Sequence, residues 1–195
     1  MEPVATIVGR ALPLDRADVD TDQIIPAEYL KRVERTGFGA FLFDSWRKDP
    51  EFVLNRPEYA GATILIAGAN FGSGSSREHA VWALEDAGFK AVIAPSFADI
   101  FRNNCHKIGL LPVELPSESV RALMDAVLDD PTTEITVDLD AQAVTAEPVD
   151  ERFEIDPHTR WRLLQGLDDI GLTLRHTDEI SSFEERRPSW LPTAG

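Results

Sequence analysis

A stretch rich in glycine and serine constrains the fold of this chain more than any other feature, because it lies where a strand should turn into a helix. The preceding run, residues 62–67, is apolar and partly β-branched, which is typical of a buried parallel strand. Apolar side chains then recur at helical intervals over residues 76–89. The sequence between them, Asn-Phe-Gly-Ser-Gly-Ser-Ser-Arg-Glu-His-Ala at residues 70–80, is therefore predicted to form a strand-to-helix turn.

The residue types in this turn favour an anion-binding site. Gly72 and Gly74 allow backbone conformations that direct several N–H groups into one concavity. The start of the following helix adds free N–H donors and the positive end of the helix dipole. Ser75 and Ser76 supply hydroxyls, and the planar guanidinium of Arg77 matches a carboxylate or a phosphate. A flexible linker or a simple helix cap is the alternative interpretation, and the flanking core elements count against the linker.

The common nucleotide and hydrolase motifs do not match this turn. A P-loop needs a lysine after its last glycine, but Gly74 is followed by Ser75. The dinucleotide-binding fingerprint needs glycine or alanine where this chain has Arg77. A Gly-x-Ser-x-Gly nucleophile elbow does not occur in this register. The kind of anion is therefore left open by the motif alone.

Charge and hydropathy exclude several classes of partner. The 195 residues suit one domain, and 34 acidic against 19 basic side chains give a net charge of −15. This charge repels nucleic acid and anionic membranes, so we expect neither as a partner. No apolar run approaches the roughly 20 residues that span a bilayer, and the N-terminus lacks a signal-peptide core. These features predict a cytoplasmic protein.

The sequence offers no convincing set of metal ligands. Its one cysteine, Cys105, excludes an internal disulfide and a cysteine-ligated iron–sulfur cluster or zinc site held by this chain alone. Asp18, Asp20 and Asp22 have the spacing of a calcium loop, but the glycine and glutamate that such a loop requires are missing. We expect one or two of these carboxylates to cap the turn or the short helix around residues 26–30 instead.

The remaining segments predict an α/β fold with a mixed sheet, in which parallel β-α-β units are followed by antiparallel strands. The expected strands are residues 4–14, 62–67, 91–95, 110–115, 135–139, 144–148 and 152–155. Three later helices are also expected: residues 97–108 capped by Ser96, residues 118–130 capped by Ser117, and one that Pro157 opens. We expect a single domain over residues 1–183 and a frayed tail over residues 184–195.

Residues 31–60 have a different composition. Lys31, Arg32 and Arg35 lie close together and are followed by glycines next to aromatic residues. This pattern indicates a loop that moves and carries apolar contacts, and long loops in compact domains are usually functional or disordered. A solvated charged face is the alternative interpretation.

Several separated motifs resemble the mobile swivel domain of the aconitase superfamily. They are Asp-Thr-Asp-Gln-Ile-Ile-Pro at residues 20–26, Gly-Ser-Gly-Ser-Ser-Arg-Glu-His-Ala at 72–80, and Ser-Phe-Ala-Asp-Ile-Phe at 96–101 with Leu-Leu-Pro at 110–112. The free-standing length and the Arg-Thr-Gly-Phe-Gly loop at 35–39 are most similar to the small-subunit family of bacterial 3-isopropylmalate dehydratases, also called isopropylmalate isomerases. The resemblance covers nearly the whole chain.

The resemblance implies a three-layer β/β/α fold and a hydro-lyase reaction of leucine biosynthesis. In that reaction 2-isopropylmalate loses water to give isopropylmaleate, which regains water to give 3-isopropylmalate. In the family a [4Fe–4S] cluster is held by a separate large subunit, so this chain should bind no metal itself and should be active only with that partner. The cysteine count agrees, because this chain has no ligand set for a cluster.

The resemblance also implies roles for individual residues. Ser75 matches the superfamily's catalytic base, and Ser76 and Arg77 match its contacts to a substrate carboxylate, with Gly74 in the same predicted anion site. Within a substrate loop at about residues 31–45, Arg35 or Arg32 would lie near the variable side chain of the substrate.

Three alternatives stay open on the sequence. A sister hydro-lyase acting on citramalate (2-methylmalate) or on homoaconitate-type substrates would carry the same motifs. A binding module for a phosphorylated metabolite would use the same N–H groups. An interaction or structural protein would have no site of its own.

Overall fold

A long first strand organises the sheet, and the computed structural model describes residues 1–31 and 36–188. The strands are, in chain order, β1 (Thr6–Leu14), β2 (Ile64–Ala67), β3 (Ala91–Ala94), β4 (Leu111–Glu114), β5 (Glu134–Asp138), β6 (Ala143–Ala146) and β7 (Val149–Arg152). The α-helices are α1 (Thr21–Ile24), α2 (Asp44–Arg47), α3 (Glu78–Asp86), α4 (Asp99–Ile108), α5 (Ser117–Asp129), α6 (Pro157–Leu164), α7 (Asp169–Leu174) and α8 (Thr177–Glu185). Short 3₁₀ helices cover Ala27–Lys31, Gly39–Phe41, Val53–Asn55 and Pro57–Tyr59.

The sheet is mixed because β1 pairs differently along its two halves. Its second half runs parallel to β2, with Ala11 opposite Ile64, and its first half runs antiparallel to β5, with Thr6 opposite Asp138. The resulting strand order is β4-β3-β2-β1-β5-β6-β7. The predicted mixed α/β class is therefore confirmed. The β4 strand lies at one edge of the sheet, as the proline at position 112 predicts, since proline donates no ladder hydrogen bond.

The core lies against the parallel half of the sheet. Every residue of β2 and β3 is buried, which explains why both strands are continuous apolar runs and do not alternate. The α5 helix packs on β1, β2 and β3 and also contacts β7, so it joins the parallel and antiparallel halves. The carboxyl ends of β2 and β3 lead directly into the loops before α3 and α4.

The predicted bounds of α3 and two predicted helix caps are wrong. The α3 helix begins at Glu78 and ends at Asp86, so it is shorter than the predicted residues 76–89. The α4 helix begins at Asp99, and the hydroxyl of Ser96 accepts a hydrogen bond from the backbone N–H of Asn70 (2.9 Å) instead of capping it. Ser117 is the first residue of α5, not its cap.

Two other boundaries differ from the sequence-based expectation. The third antiparallel strand is β7, which ends at Arg152, where the predicted strand was to begin. The α8 helix reaches Glu185 and so extends into the predicted frayed tail. The assignment of one domain over residues 1–183 stays a prediction.

Aromatic side chains fix the segment after residue 36 to the core. Phe38, Leu42 and Phe43 are fully buried, and Trp46 stacks on the ring of Phe43 at 5.3 Å. The guanidinium of Arg16 lies over the Trp46 ring at 4.2 Å. Residues 39–59 therefore contain four short helices, and their aromatic side chains pack into the core.

The partly buried imidazole of His106, on α4, predicts a loss of stability in acid. Burial, together with the nearby cations Arg102 and Arg162, lowers the pKa of His106 to about 4, against the opposing effect of Asp156. Since the unfolded chain binds a proton near pH 6.5 and the native state does not, the free energy of unfolding falls as the pH drops from about 6.5 to about 4. We expect the protonation of His106 to account for about 2 to 3 kcal/mol of this fall in the free energy of unfolding.

Urea denaturation at several pH values checks this expectation. His106→Gln should flatten the pH dependence of the unfolding free energy across this window, whereas His176→Gln, at an exposed histidine, should leave it unchanged. Equal slopes for His106→Gln and the unsubstituted chain would contradict the assignment.

Candidate functional site

The glycine- and serine-rich loop runs from the end of β2 to the start of α3, as predicted. It bends through three residues with positive φ, namely Asn70 (+58°), Gly72 (+78°) and Gly74 (+91°). A Cβ atom at position 72 would lie 2.1 Å from Cγ of Phe101. Only glycine fits there, and the loop is consequently held against the first turn of α4.

This close approach predicts a large stability cost for Gly72→Ala. The substitution adds both backbone strain and a steric overlap with the Phe101 ring, so we expect the free energy of unfolding to fall by about 2 to 4 kcal/mol. Gly88→Ala is the matched control, because Gly88 also has a positive φ (+100°) but open space around it. Its cost should be that of the strain alone, about 1 kcal/mol. Equal urea midpoints for the two variants would contradict the steric argument.

The segment around α1 holds the loop in place. The backbone N–H groups of Gly72 and Ser73 both donate to the carbonyl of Val19 (2.8 and 3.2 Å). The N–H of Thr21 donates to the carbonyl of Ser73 (2.9 Å), and its hydroxyl donates to the carbonyl of Ser75 (2.9 Å). The predicted concavity of N–H groups is therefore smaller than expected, because two of the loop's donors are engaged inside the protein.

The remaining donors lie further along the loop. The backbone N–H groups of Gly74, Ser75 and Ser76 donate no hydrogen bond to any of the described residues. The side chains of both serines are exposed to solvent. The α3 helix begins two residues after Ser76, with the unpaired N–H groups of its first turn and the positive end of its dipole near the loop. This part of the loop can stabilise a negative charge.

A cavity of about 260 Å³ opens beside these groups. It is lined by Thr21, Gly72, Gly74, Ser75, Ser76, Arg77, Ala98, Asp99, Ile100 and Phe101. The structure thus brings together four of the predicted site residues at the carboxyl ends of parallel strands, where open α/β sheets bind ligands. A larger cavity, of about 680 Å³, lies at the amino ends of the same strands and is lined mainly by residues 1–8. Size alone does not identify the site.

Arg77 is held by a carboxylate that the sequence pattern did not assign to the site. Its backbone precedes α3 in an extended conformation, and its side chain is only 16% exposed. One guanidinium nitrogen, Nη1, forms an ion pair with Oδ1 of Asp22, which lies on α1. The guanidinium carries five N–H donors, so the ion pair leaves donors for a second carboxylate.

The three aspartates before and in α1, Asp18, Asp20 and Asp22, make different contacts. Asp20 is a cap, as predicted, but of α1 at Thr21–Ile24 and not of a helix around residues 26–30, and it accepts a hydrogen bond from the N–H of Gln23 (2.8 Å). Asp18 accepts a hydrogen bond from the side-chain amide of Asn70 (2.8 Å). Asp22 alone reaches the candidate site, through Arg77. The three carboxylates therefore serve different purposes and do not converge on one cation.

His79 packs among aromatic rings at the side of α3. Its ring meets Phe38 edge-on at 5.2 Å and Trp82 at 4.6 Å. Burial lowers the pKa of His79, and Arg77 lowers it further, while Glu78 opposes both. The lowered pKa favours the neutral imidazole, and the ring contacts tie α3 to the segment around Phe38.

The predicted substrate loop lies only partly within the described residues. Arg32 and Arg35 fall outside them, so their role stays a prediction. Tyr29, just before the loop, stacks on Phe41 within it, with ring centroids 4.1 Å apart. The N–H of Phe38 donates to Oδ2 of Asp86 on α3 (2.7 Å). The part of the predicted loop around Phe38 is thus joined to the last residue of α3.

The described residues do not fit an iron–sulfur cluster. In the ranges 1–31 and 36–188, no group of three or more histidine, cysteine, aspartate or glutamate side chains could hold a metal ion. Cys105 is buried, and burial raises the pKa of its thiol well above the usual value, which disfavours the thiolate that a metal needs. In the same ranges, no helix is long and apolar enough to cross a membrane.

Three family models match consecutive parts of the chain. Residues 1–118 match the model described as the aconitase C-terminal domain. Residues 121–157 match the model described as LeuD_N. Residues 169–194 match the model of the C-terminal domain of the 3-isopropylmalate dehydratase small subunit. The first match includes the loop and every residue that lines the cavity.

Relatives with the same small-subunit name match over almost the full chain. The 3-isopropylmalate dehydratase small subunit of Rubrobacter xylanophilus is 62% identical over 192 residues, which are 98% of each chain. That of Acidothermus cellulolyticus is 64% identical over 193 residues, 99% of this chain and 98% of the relative. The crystal structure of a 3-isopropylmalate dehydratase (leuD) from Methanocaldococcus jannaschii is 29% identical, covers 92% of this chain and 99% of its own, and superposes with a TM-score of 0.67. This chain therefore belongs to the 3-isopropylmalate dehydratase small subunit family.

Proposed function

We propose that this chain is the small subunit of a 3-isopropylmalate dehydratase that converts 2-isopropylmalate to 3-isopropylmalate in leucine biosynthesis. The enzyme is a hydro-lyase, which removes water to give isopropylmaleate and then adds it back with the opposite placement of hydrogen and hydroxyl. One observation carries the proposal. In a chain 62% identical to a named small subunit, the run from Ser75 to Arg77 lines a cavity at the ligand-binding edge of the sheet. We place the assembly in the cytoplasm.

Ser75 acts as the base in this proposal. It takes the proton from the carbon next to a substrate carboxylate, while the hydroxide leaves from the neighbouring carbon. A serine hydroxyl is a very weak acid, so its alkoxide needs strong electrostatic stabilisation. The available sources are the unpaired N–H groups near Gly74 and Ser76, the start of α3 and the Arg77 guanidinium. No histidine is needed as an intermediary.

Ser76 and Arg77 hold the substrate carboxylate. The guanidinium fork binds two carboxylate oxygens and fixes the reacting C–H bond beside Ser75. The N–H of Gly74 and the hydroxyl of Ser76 complete the set of donors on the wall of the cavity. Arg35 or Arg32 would lie near the alkyl group that distinguishes 2-isopropylmalate from other 2-alkylmalates.

The other half of the site belongs to a large subunit. This chain has one cysteine, and its residues 1–31 and 36–188 offer no metal-ligand set, so we propose that the partner holds a [4Fe–4S] cluster, which would supply a Lewis acid for the departing hydroxide. The cavity of about 260 Å³ lies just below the usual range of ligand pockets, roughly 300 to 1,000 Å³, which suits one half of a shared site. Turnover then requires both chains.

Reconstitution tests the proposal. The isolated chain should show no formation of isopropylmaleate from 2-isopropylmalate, and addition of the purified, cluster-loaded large subunit of the same organism should start it. The absorbance of the unsaturated intermediate follows the reaction. A panel of 2-alkylmalates, including 2-methylmalate, then ranks substrates by kcat/KM. Activity of the lone chain, or a pair that prefers 2-methylmalate, would contradict the proposal.

A further inference from the structure

Thr21 is a buried polar residue beside the candidate site. It is the first residue of α1, lines the cavity and is only 2% exposed. A polar group is stable in such a position when its hydrogen bonds are satisfied. The N–H of Thr21 donates to the carbonyl of Ser73 (2.9 Å), and its hydroxyl donates to the carbonyl of Ser75 (2.9 Å). Thr21 therefore binds the glycine- and serine-rich loop twice.

The hydroxyl of Thr21 takes the place of a backbone donor. A parallel bridge joins the segment before α1 to Ser73. If this ladder continued, Ser75 would donate to the Thr21 carbonyl and accept from the N–H of Gln23. The start of α1 prevents both bonds, because the Thr21 carbonyl accepts from the N–H of Ile25 (3.0 Å) and the N–H of Gln23 caps the helix. The ladder thus ends at the site, and the Thr21 hydroxyl supplies the donor that the Ser75 carbonyl lacks.

The two carbonyls that Thr21 holds belong to peptide units whose N–H groups are free of protein partners. The Ser73 carbonyl shares a planar peptide with the N–H of Gly74, and the Ser75 carbonyl shares one with the N–H of Ser76. In a trans peptide the N–H points opposite to the carbonyl, so both N–H groups point away from Thr21. Neither donates a hydrogen bond to any described residue. A carbonyl that accepts a hydrogen bond also polarises its peptide, which strengthens the N–H as a donor.

We propose that Thr21 is a positioning residue of the dehydratase, which aims the N–H groups of Gly74 and Ser76 at the negative charge that Ser75 carries as the base. The proposal rests on the small-subunit function proposed above and deepens it. Thr21 acts through the loop and not on the substrate. Donors that are fixed in advance stabilise a charge without reorganisation during the reaction. Threonine suits this task because its branched side chain restricts the rotation that would turn the hydroxyl away.

Thr21→Val tests the proposal in the reconstituted enzyme, because valine is close to threonine in shape and lacks the donor. We expect kcat to fall by about 10- to 30-fold and KM to change by less than about threefold. This loss is smaller than that for removing an oxyanion donor, since the Ser76 N–H is misdirected and not removed. Thr21→Ser restores the hydroxyl and should keep kcat within about threefold of the unsubstituted enzyme.

Ser96→Ala is the matched control, because it removes one hydrogen bond from the other end of the same loop. The Ser96 hydroxyl accepts from the N–H of Asn70 (2.9 Å) and does not line the cavity. This variant should lose stability but keep kcat within about threefold of the unsubstituted enzyme. A substrate deuterated at the carbon that loses the proton separates the two effects further. Thr21→Val should raise the isotope effect on kcat, because proton transfer becomes slower, and Ser96→Ala should not.

Amide NMR of the isolated chain tests the aiming without turnover. Thr21→Val should shift the proton–nitrogen signal of the Ser76 amide, which follows the released carbonyl, and Ser96→Ala should leave that signal in place. If the valine variant does not fold, Thr21→Cys replaces it, because a thiol is a weak donor, and its kcat should lie well below that of Thr21→Ser.

The outcomes separate this proposal from the proposed function. An unmoved Ser76 signal, an unchanged isotope effect, or a kcat for Thr21→Val within about threefold of the unsubstituted enzyme would each overturn the role of Thr21. An unsubstituted pair that does not turn over 2-isopropylmalate, together with a shifted Ser76 signal, would refute the proposed function and leave the control of the Ser76 N–H by Thr21 intact.

Discussion

Ser75→Ala is expected to lower kcat of the reconstituted dehydratase by about 1,000-fold, within the range that a general base contributes. The side chain lines the cavity, is exposed, and has no other role in the described contacts of the loop, which hold Ser75 through its backbone carbonyl and the Thr21 hydroxyl. Removing the hydroxyl should therefore leave the fold and the affinity for the large subunit unchanged. Initial rates at saturating substrate, together with the Kd for the large subunit, measure both effects.

Ser73→Ala is the matched control for this variant. Ser73 belongs to the same loop, but it does not line the cavity and takes part in the loop through its backbone N–H and carbonyl. The enzyme reconstituted with the Ser73→Ala chain should keep kcat within about threefold of the enzyme reconstituted with the unsubstituted chain. If Ser75→Ala also turns over at that rate, Ser75 is not the base.

The sequence predicted the local elements around the site well, because their signals are local. Residues 62–67 and 91–95 are short apolar runs, and both form buried strands, β2 and β3. The turn between β2 and α3 was recognisable because Gly72 and Gly74 mark positions that require positive φ. The helix start was misplaced by two residues, since Ser76 does not cap α3 and Arg77 precedes it in an extended conformation.

The parts that could not be predicted depend on residues far apart in the chain. Nothing in a local pattern shows that Val19 will accept hydrogen bonds from Gly72 and Ser73, some fifty residues later. The contact of Asp22 with the site was not predictable for the same reason. Its spacing from Asp18 and Asp20 indicated a cap, whereas its ion pair with Arg77 forms because a parallel bridge brings residues 20 and 73 together. The sequence showed only that Asp22 and Arg77 carry opposite charges and lie in two separate motifs.

The segment after residue 36 shows the opposite error. Glycines beside aromatic residues indicated a moving loop, because such sequences often are loops. Phe38 and Phe43 are instead fully buried, and Gly39 lets the segment approach the end of α3, where a Cβ atom would lie 2.7 Å from the backbone nitrogen of Ala87. Aromatic side chains join the core when another part of the fold packs against them, and the sequence does not reveal which part of the fold does so.

Arg77→Lys is expected to lower kcat/KM for 2-isopropylmalate by about 100-fold, mainly through a higher KM. Lysine keeps the charge but loses the planar fork, so it cannot bind two carboxylate oxygens and Asp22 at once. The loss corresponds to about 3 kcal/mol, the upper end for a hydrogen bond to a charged group. Steady-state kinetics of the reconstituted pair measure it. A kcat/KM within about threefold of the unsubstituted pair would show that charge alone binds the substrate.

Asp22→Asn separates the orientation of Arg77 from its charge. Asp22 is 55% exposed, so its ion pair should contribute less than about 1 kcal/mol to stability, and the urea midpoint should hardly move. If Asp22 orients the guanidinium, kcat/KM should nevertheless fall by about tenfold. The double variant with Arg77→Lys should then lose less than the product of the two single losses, because both act through one contact. An increase in kcat/KM for Asp22→Asn would instead mean that Asp22 competes with the substrate carboxylate for the same donors.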